Sequence, residues 1–381
     1  MHENDDVALS LRYHGLTDLP AALGQYTSLQ QLDVTGNALA ALPTNAGNLL
    51  QLKKLCLDDN ALTALPSWFG DMLQLEEIHL DGNQLASLPE NIGQLTNLKI
   101  LSAYNNRLTA LPASLTGLTG LRELSVGGNQ LTSLPESFWQ LTNLRLLNVA
   151  ENRLSSLSER IGNLTQLVTL DVGHNELAAL PDSLGNLKNL TFYLYLSNNR
   201  LTALPDSLGN LSELRYLNAT DNQLTTLPET LGNLASLKEL RLYNNHLNAL
   251  PESFGNLRNL KELHVQNNRL VALPDSFGNL TNLRKLGLSN NRLRALPESL
   301  GNLTHLTDLD LRNNALTALP ESLGSLTHLT NLDLRNNKFV ALPDSMANLV
   351  NLEKLDLRWN KLAALPGWLQ YLEQRGCTVF M

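Results

Sequence analysis

The stretch LKELRLYNNHLNALP, from Leu237 to Pro251, decides the fold of this 381-residue chain. Leu240 and Leu242 alternate with polar residues, which predicts a β-strand with one buried face. Asn245 follows at the turn, where its side chain can donate to and accept from backbone groups that the turn leaves unpaired. We therefore interpret the stretch as one strand and one turn, closed by a leucine–proline pair.

This pattern recurs along the chain with a fixed period. All 15 prolines follow a leucine, and neighbouring prolines are spaced 23 residues apart except at two places. Ser158 replaces one proline, and the interval from Pro181 to Pro205 is 24 residues. A fixed period of this length predicts a solenoid. Because proline presets the backbone and serine does not, the repeat with Ser158 is predicted to be locally weak.

The segment between two strands has a pattern of its own. In PESLGNL and the residues after it, Leu300, Leu303 and Leu306 lie three positions apart, which suits one short helical or 3₁₀ turn. A proline at the start, an acidic residue next and a glycine near the end agree with helix-end chemistry. Each repeat is thus predicted to hold one strand, one turn at the asparagine and one short helical segment.

The consensus LxxLxLxxNxLxxLP resembles the leucine-rich repeat family. Its 23-residue form ending in Leu-Pro is similar to the intracellular Ras-scaffold type and to bacterial leucine-rich repeat proteins. The resemblance covers nearly the whole chain, although His14 stands at the asparagine position of the first repeat. It implies an α/β solenoid, a horseshoe with a parallel β-sheet on the concave face and short helical or 3₁₀ turns on the convex face. It also implies a protein that binds other proteins.

Residues 1–381 are predicted to form a single solenoid of about 16 repeats. The last segment, residues 367–381, breaks the consensus and is predicted to form a C-terminal cap. Within it, Trp368, Leu369 and Leu372 predict an amphipathic helix, and the Val-Phe pair near the end predicts a final edge strand. Few residues precede the first strand, so the N-terminal edge is thinly capped, and self-association there is one interpretation.

Composition excludes several classes of partner. The chain has 28 basic and 36 acidic residues, a net charge of −8, which argues against nucleic acid because phosphate binding needs a basic face. Its apolar runs are too short to span a membrane. Cys56 and Cys377 lie too far apart in a solenoid to pair, and extracellular family members usually have disulfide-bonded caps. We therefore expect a reducing compartment, the cytoplasm, with delivery into a host cell's cytosol as the alternative.

Binding specificity is expected on the concave face, because every second residue of a strand points there and can vary without harming the core. Four tyrosines fall there within three consecutive repeats. Tyrosine and arginine often anchor interfaces, although tyrosine is also a good strand residue. The predicted partner-binding residues are Tyr104, Tyr193, Tyr195, Tyr216, Asn218, Glu239, Arg241, Tyr243, His264, Arg312, Arg335 and Trp359.

Three Asp-Leu-Arg triplets near the C-terminus, at residues 310–312, 333–335 and 356–358, place a row of aspartates beside a row of arginines. One interpretation is that the two rows neutralise each other. The other is a docking site for a partner of mixed charge, since arginine can bind carboxylates in a bidentate way.

The stretch NLTFYLYLSNNRL, residues 189–201, contains the extra residue of the 24-residue interval. The leucine frame places the insertion between Leu190 and Leu194. A bulge there would re-aim nearby side chains, and we predict that Phe192 is buried and that Tyr193 projects into the hollow. The alternative is an insertion that the loop before the strand absorbs.

No catalytic residue, metal site or cofactor is predicted. His79 and His264 lie near carboxylates or an arginine but within no ordered ligand motif, and no nucleophile–base motif is present. The predicted function is that of a non-enzymatic protein–protein interaction scaffold with its partner on the concave face. The alternatives are a carbohydrate or peptide receptor that uses the tyrosines, and the recognition module of a larger effector, kinase or ligase protein.

Overall fold

The computed structural model describes residues 7–381, and it contains two compact units, one ending at Leu177 and the other beginning at Ala178. In both units, three-residue strands alternate with five-residue 3₁₀ helices. Over the described residues, sixteen strands carry the repeat.

The first unit contains the strands β1 (Ala8–Ser10), β2 (Gln31–Asp33), β3 (Lys54–Cys56), β4 (Glu77–His79), β5 (Ile100–Ser102), β6 (Glu123–Ser125), β7 (Leu146–Asn148) and β8 (Thr169–Asp171). Its 3₁₀ helices are Ala21–Gln25, Thr44–Asn48, Ser67–Asp71, Glu90–Gln94, Ala113–Gly117, Glu136–Gln140 and Glu159–Asn163.

The second unit contains the strands β9 (Tyr193–Tyr195), β10 (Tyr216–Asn218), β11 (Glu239–Arg241), β12 (Glu262–His264), β13 (Lys285–Gly287), β14 (Asp308–Asp310), β15 (Asn331–Asp333), β16 (Lys354–Asp356) and β17 (Thr378–Phe380). Its helices are the 3₁₀ helices Asp182–Asn186, Asp206–Asn210, Glu229–Asn233, Glu252–Asn256, Asp275–Asn279, Glu298–Asn302, Glu321–Ser325 and Asp344–Asn348, and the α-helix α1 (Trp368–Gln374).

Within each unit, successive strands pair in parallel. Tyr216 lies opposite Glu239, and Glu239 opposite Glu262, so the register equals the repeat length. Residues at one position of successive repeats therefore form a row across the strands. The central residue of each strand from β2 to β16, such as Leu240, is buried, and in β1 and β17 it is half-buried. The first and third residues lie on the other face, which we call the sheet face.

The buried asparagines link neighbouring repeats, which confirms their predicted structural role. The Nδ2 atom of Asn245 donates to the carbonyl oxygens of Ala219 at 2.9 Å and of Leu242 at 3.0 Å, one in the preceding repeat and one in its own. Its Oδ1 atom accepts from the backbone N–H of Leu224 at 3.0 Å. One side chain thus satisfies backbone groups that the strand ladder leaves free.

Proline and glycine shape the 3₁₀ segments. Pro228 has a φ of −70° and precedes Glu229–Asn233, where its carbonyl accepts from Leu231 at 3.0 Å. A Cβ atom on Gly232 would collide with the backbone carbonyl of Ser253 in the next repeat. The consensus glycine is therefore needed for space, because adjacent 3₁₀ helices pack backbone against backbone.

Both predicted elements of the C-terminal segment are present. Leu369 and Leu372 of α1 are buried, and β17 pairs in parallel with β16, with Thr378 opposite Lys354. At the other end of the described residues, β1 pairs with β2, and Val7 is exposed. Self-association at that edge stays a prediction.

Candidate functional site

Three tyrosines on β9 and β10 form one contiguous aromatic group on the sheet face, which we call the tyrosine cluster: Tyr193, Tyr195 and Tyr216. The ring centroids lie 5.7 Å apart for Tyr193 and Tyr195, 5.5 Å for Tyr193 and Tyr216, and 5.2 Å for Tyr195 and Tyr216. These are the separations at which aromatic rings attract each other. Leu194, between the two tyrosines of β9, is fully buried, so the strand alternation aims both rings outward as predicted.

The extra residue lies just before β9. Tyr193 and Leu194 pair with Tyr216 and Leu217 in the regular register, so the predicted bulge is absent from the pairing of β9 with β10. The backbone N–H of Arg215 donates to the carbonyl of Thr191 at 3.1 Å. In the regular register the acceptor would be the carbonyl of the next residue, Phe192. The alternative interpretation, absorption in the segment before the strand, is the one that the structure shows.

Phe192 is 48% exposed, and the prediction that it is buried is wrong. The physical reason is that Leu190 and Leu194 are themselves fully buried and occupy the two core positions on either side of the insertion. Phe192 instead lies 6.2 Å from the Tyr193 ring and 5.7 Å beneath the guanidinium of Arg215. It thus extends the aromatic surface rather than the core.

A charged pair on β11 borders the tyrosine cluster. The guanidinium of Arg241 lies 5.5 Å from the ring centroid of Tyr216, and its Nε atom donates to Oε1 of Glu239 at 2.6 Å. Burial raises the pKa of Tyr216 to about 12, an effect that Arg241 opposes and Tyr195 reinforces. Tyr216 is therefore an uncharged hydrogen-bonding group at neutral pH.

His264 and Tyr243 lie beyond this pair. Ligand atoms of Glu239, Glu262 and His264 lie within 4.8 Å of one another, the one such group among residues 7–381. Each carboxylate already has a cation, since Arg241 holds Glu239 and the ammonium of Lys285 lies 3.1 Å from Glu262. A metal ion would have to displace both, so the arrangement is better described as a chain of ion pairs. Tyr243 lines an open depression of about 350 Å³ beside His264.

Asn218 lies between Tyr195 and Arg241 in its row. Its Oδ1 atom accepts from the backbone N–H of Thr220 at 3.1 Å, so this oxygen supports the turn after β10. Asn218 therefore lies beside the tyrosine cluster with its side-chain oxygen already hydrogen-bonded to the backbone.

Tyr104 belongs to the first unit and lies flat along its sheet face. A Cβ atom on Gly127 would approach the Tyr104 ring to 2.9 Å, so the glycine makes room for the ring. The hydroxyl donates to Oε1 of Glu151 at 2.7 Å, and this bond, with burial, raises the pKa of Tyr104 to about 12. Sequence reasoning placed Tyr104 on this face but did not foresee its attachment to a residue two repeats away.

The arginines of the three triplets pair with the preceding aspartates. Arg335 contacts Asp333 at 2.5 Å and Asp356 at 3.3 Å, and Arg358 contacts Asp356 at 2.6 Å. Arg312 is held more loosely, with its Nε atom 3.4 Å from Asp310. The interpretation of neutralising rows therefore describes this region.

Trp359 is the most exposed of the predicted site residues, at 69%. It adopts a left-handed backbone with a φ of 63°, a conformation that bulky residues rarely take. The guanidinium of Arg358 lies 5.5 Å from its ring centroid. An exposed tryptophan held in an unfavourable backbone conformation is a binding-site candidate, and its role stays a prediction.

Comparisons with known proteins identify the fold family. A family model described as leucine-rich repeat region matches residues 135–214, 205–287 and 275–373. A second, described as leucine rich repeat, matches residues 27–85, 74–131 and 96–154. The chain belongs to the leucine-rich repeat family. Leucine-rich repeat folds are generally non-enzymatic and generally serve protein interaction or ligand binding.

Solved structures resemble this chain over nearly all of its length. A leucine-rich repeat protein of Leptospira interrogans is 35% identical with a TM-score of 0.91, and the match covers 100% of this chain and 97% of that one. The plant peptide hormone receptor RGFR1, in complex with RGF2, is 31% identical with a TM-score of 0.84, over 96% and 61% of the two chains. The Arabidopsis receptor kinase HAESA, in complex with the peptide hormone IDA and the co-receptor SERK1, is 25% identical with a TM-score of 0.71, over 99% and 74%.

Among curated proteins, no sequence matches this leucine-rich repeat chain. Within the described part of the chain, no helix is both long enough and apolar enough to cross a bilayer.

Proposed function

We propose that this leucine-rich repeat protein is a non-enzymatic interaction scaffold that binds a protein partner on the sheet face of its second unit, with the tyrosine cluster as the anchor. The observation that carries the proposal is that Tyr193 is 43% exposed while its ring packs against Tyr195 and Tyr216. A large amphipathic surface is thus open to solvent and already ordered.

Order in the free protein favours binding. An interface usually loses about 0.5–1.5 kcal/mol for each side chain that it immobilises, and rings that already restrain one another lose less. Arg241 over Tyr216 and Arg215 over Phe192 add cations at the border of the aromatic surface. Tyrosine beside arginine is the composition that interface hot spots favour.

Two of the similar structures support a protein or peptide partner. RGFR1 was solved with RGF2, and HAESA with the peptide hormone IDA and the co-receptor SERK1. By analogy with these complexes, we assign the partner of this chain to the class of proteins and peptides.

A carbohydrate receptor is the second candidate, since tyrosines beside a carboxylate and an amide suit sugar hydroxyls. The structure favours it less, because Glu239 is engaged by Arg241, and the side-chain oxygen of Asn218 is engaged by Thr220. A recognition module within a larger effector, kinase or ligase protein is a third candidate, and it would use the same surface.

The test is a selection of binders from a random peptide display library against the full-length protein. Binders are then titrated by biolayer interferometry against wild type, Tyr195→Ala and Tyr216→Ala. Each variant should weaken binding by more than about 1 kcal/mol, as expected of interface anchors.

Tyr26→Ala is the matched control. Tyr26 is similarly exposed but follows the 3₁₀ helix Ala21–Gln25 in the first unit, away from the strands. Equal affinity in wild type and in both cluster variants would overturn the proposal, and so would a glycan array with strong hits beside an unproductive peptide selection.

The cellular compartment is also proposed rather than observed. Both cysteines are buried and unpaired with each other, which suits the cytoplasm or a host cell's cytosol. Cell fractionation with an antibody to the native protein tests this, and a predominantly secreted protein outside any cell would contradict it.

A further inference from the structure

A depression opens on the sheet face of the second unit at Gly287, which we call the Gly287 hollow. Its volume is about 350 Å³, and its lining includes Lys285, Gly287, Asp308, Asp310, Asn331 and Lys354. In its row, Gly287 lies between His264 and Asp310, so one missing side chain creates the opening.

Glycine at this position is not required by the backbone. Gly287 is absent from the residues with a left-handed φ, and the three atoms nearest to a Cβ atom there would all belong to the amide end of the flexible Gln266 side chain. The Oε1 atom of Gln266 is buried and has no hydrogen-bond partner in the described chain. A substitution at Gly287 can therefore fill the hollow by displacing the Gln266 amide, without backbone strain.

Among the carboxylates of their rows in the second unit, Asp308 and Asp310 have the weakest ion pairing. Asp308 accepts from Thr307 at 2.7 Å and from Asn331 at 2.9 Å, and no basic side chain among residues 7–381 forms an ion pair with it. The one ion pair of Asp310 within residues 7–381 is the 3.4 Å contact with Arg312, whose backbone N–H also donates to Asp310 Oδ1 at 3.2 Å, and burial raises the pKa of Asp310.

The two lysines of the hollow are directed elsewhere. The ammonium of Lys285 lies 3.1 Å from Glu262, and that of Lys354 lies 5.6 Å from the Phe380 ring centroid. Two carboxylates therefore line an open space whose two lysines are engaged with other groups.

We propose that the Gly287 hollow receives a lysine or arginine side chain of the protein partner, with its cation between Asp308 and Asp310. The inference rests on the proposed function, since it needs a protein bound on this sheet face. Strand β13 is three strands from β10, or about 14 Å. An extended partner segment of about four or five residues spans that distance and reaches the tyrosine cluster. The net charge of −8 also favours a basic partner over long range.

The experiment uses peptides selected from the random display library on the intact wild-type protein. We expect these peptides to be enriched in lysine or arginine. Gly287→Leu, which fills the hollow, and the double variant Asp308→Asn, Asp310→Asn should each weaken their binding by about tenfold. Replacing the critical peptide lysine by norleucine should cause the same loss in wild type and no further loss in the double variant.

Two controls separate site-specific effects from general ones. Ser125→Leu makes a comparable change at the corresponding row position in the first unit. Asp333→Asn removes a charge that also lines the hollow but that Arg335 already neutralises. Both should change binding by less than about twofold, and thermal unfolding should show that every variant folds.

The outcomes also distinguish this inference from the proposed function. Binders that lose affinity in Tyr216→Ala but not in Gly287→Leu would leave the proposed function standing and overturn the hollow. Basic binders that lose affinity in Gly287→Leu but not in Tyr216→Ala would support the hollow and overturn the tyrosine cluster as the anchor. A selection without basic enrichment, or equal losses in Asp333→Asn and the double variant, would also overturn the inference.

Discussion

The guanidinium of Arg241 lies 5.5 Å from the ring of Tyr216 and is held there by a 2.6 Å hydrogen bond from its Nε atom to Glu239. The three residues come from adjacent strands or from alternate positions of one strand, so the backbone ladder sets their spacing. Because the ladder is rigid, the aromatic and charged parts of the candidate site are arranged before any partner arrives.

Deleting Phe192 tests how the extra residue is accommodated. The deletion restores the LxxLxL frame of the other repeats, from Leu190 to Leu196, and should change the free energy of unfolding by less than about 1 kcal/mol. Deleting Lys238, at the matching place in a regular repeat, should cost about 2–5 kcal/mol because it pulls a leucine out of the core. Urea titration measures both, and similar costs for the two deletions would contradict this account.

Ser158→Pro should stabilise the first unit. Ser158 has φ −68° and ψ 147°, within the range of the consensus prolines, so proline fits without strain. The gain should be about 0.4–1 kcal/mol, reduced by loss of the 3.3 Å hydrogen bond from the Arg160 N–H to the serine hydroxyl. Ser158→Ala, which removes only that bond, is the control, and a lower thermal midpoint for the proline variant would refute the prediction.

Asp356 should make the second unit sensitive to acid. It is 1% exposed, and although burial acts to raise its pKa, hydrogen bonds from Arg358 and the charge of Arg335 hold that pKa below its ordinary 3.8. Because the folded pKa is lowered, the stabilisation is complete above the unfolded pKa and disappears as pH falls through the folded value. Asp356→Ala should lower the free energy of unfolding by about 1–3 kcal/mol at pH 7.

The pH comparison supplies the check on Asp356. The difference between wild type and Asp356→Ala should shrink when unfolding is measured near pH 3. Asp344→Ala, at an exposed aspartate, should have little effect at either pH. A difference for Asp356→Ala that is unchanged at low pH would show that packing, and not charge, is responsible.

Cys56 should be unreactive in the folded protein. It is buried on β3, and burial, reinforced by Asp33, raises the pKa of its thiol to about 11. At pH 8 only about one thiol in a thousand is then a thiolate, the form that reacts. In a Cys377→Ala variant, Cys56 is the one remaining thiol. Dithionitrobenzoate should label this thiol quickly in urea and slowly without urea. Fast labelling of the folded variant would contradict the prediction.

The sequence alone determined the repeating architecture and the rows of the sheet face. A 23-residue period with leucines at fixed offsets leaves only one face that can be buried, so the alternation predicts both the core and the outward direction of Tyr193, Tyr195 and Tyr216. Asn245 and its counterparts follow from the same logic, because a turn that leaves backbone groups unpaired needs a side chain with both donors and an acceptor.

Only the tertiary structure decided which of those outward side chains contact one another. Phe192 is exposed because Leu190 and Leu194 fill the core. The sequence period does not predict which of several apolar side chains takes a core position. Tyr104 reaches Glu151 two repeats away because Gly127 leaves room between them, and Gly287 opens a hollow because its neighbours have side chains and it has none. The 23-residue period reflects the backbone geometry and the burial pattern of a single repeat, which the sequence of that repeat determines. The contacts depend on the lengths and rotamers of side chains from several repeats at once, and folding alone brings these together.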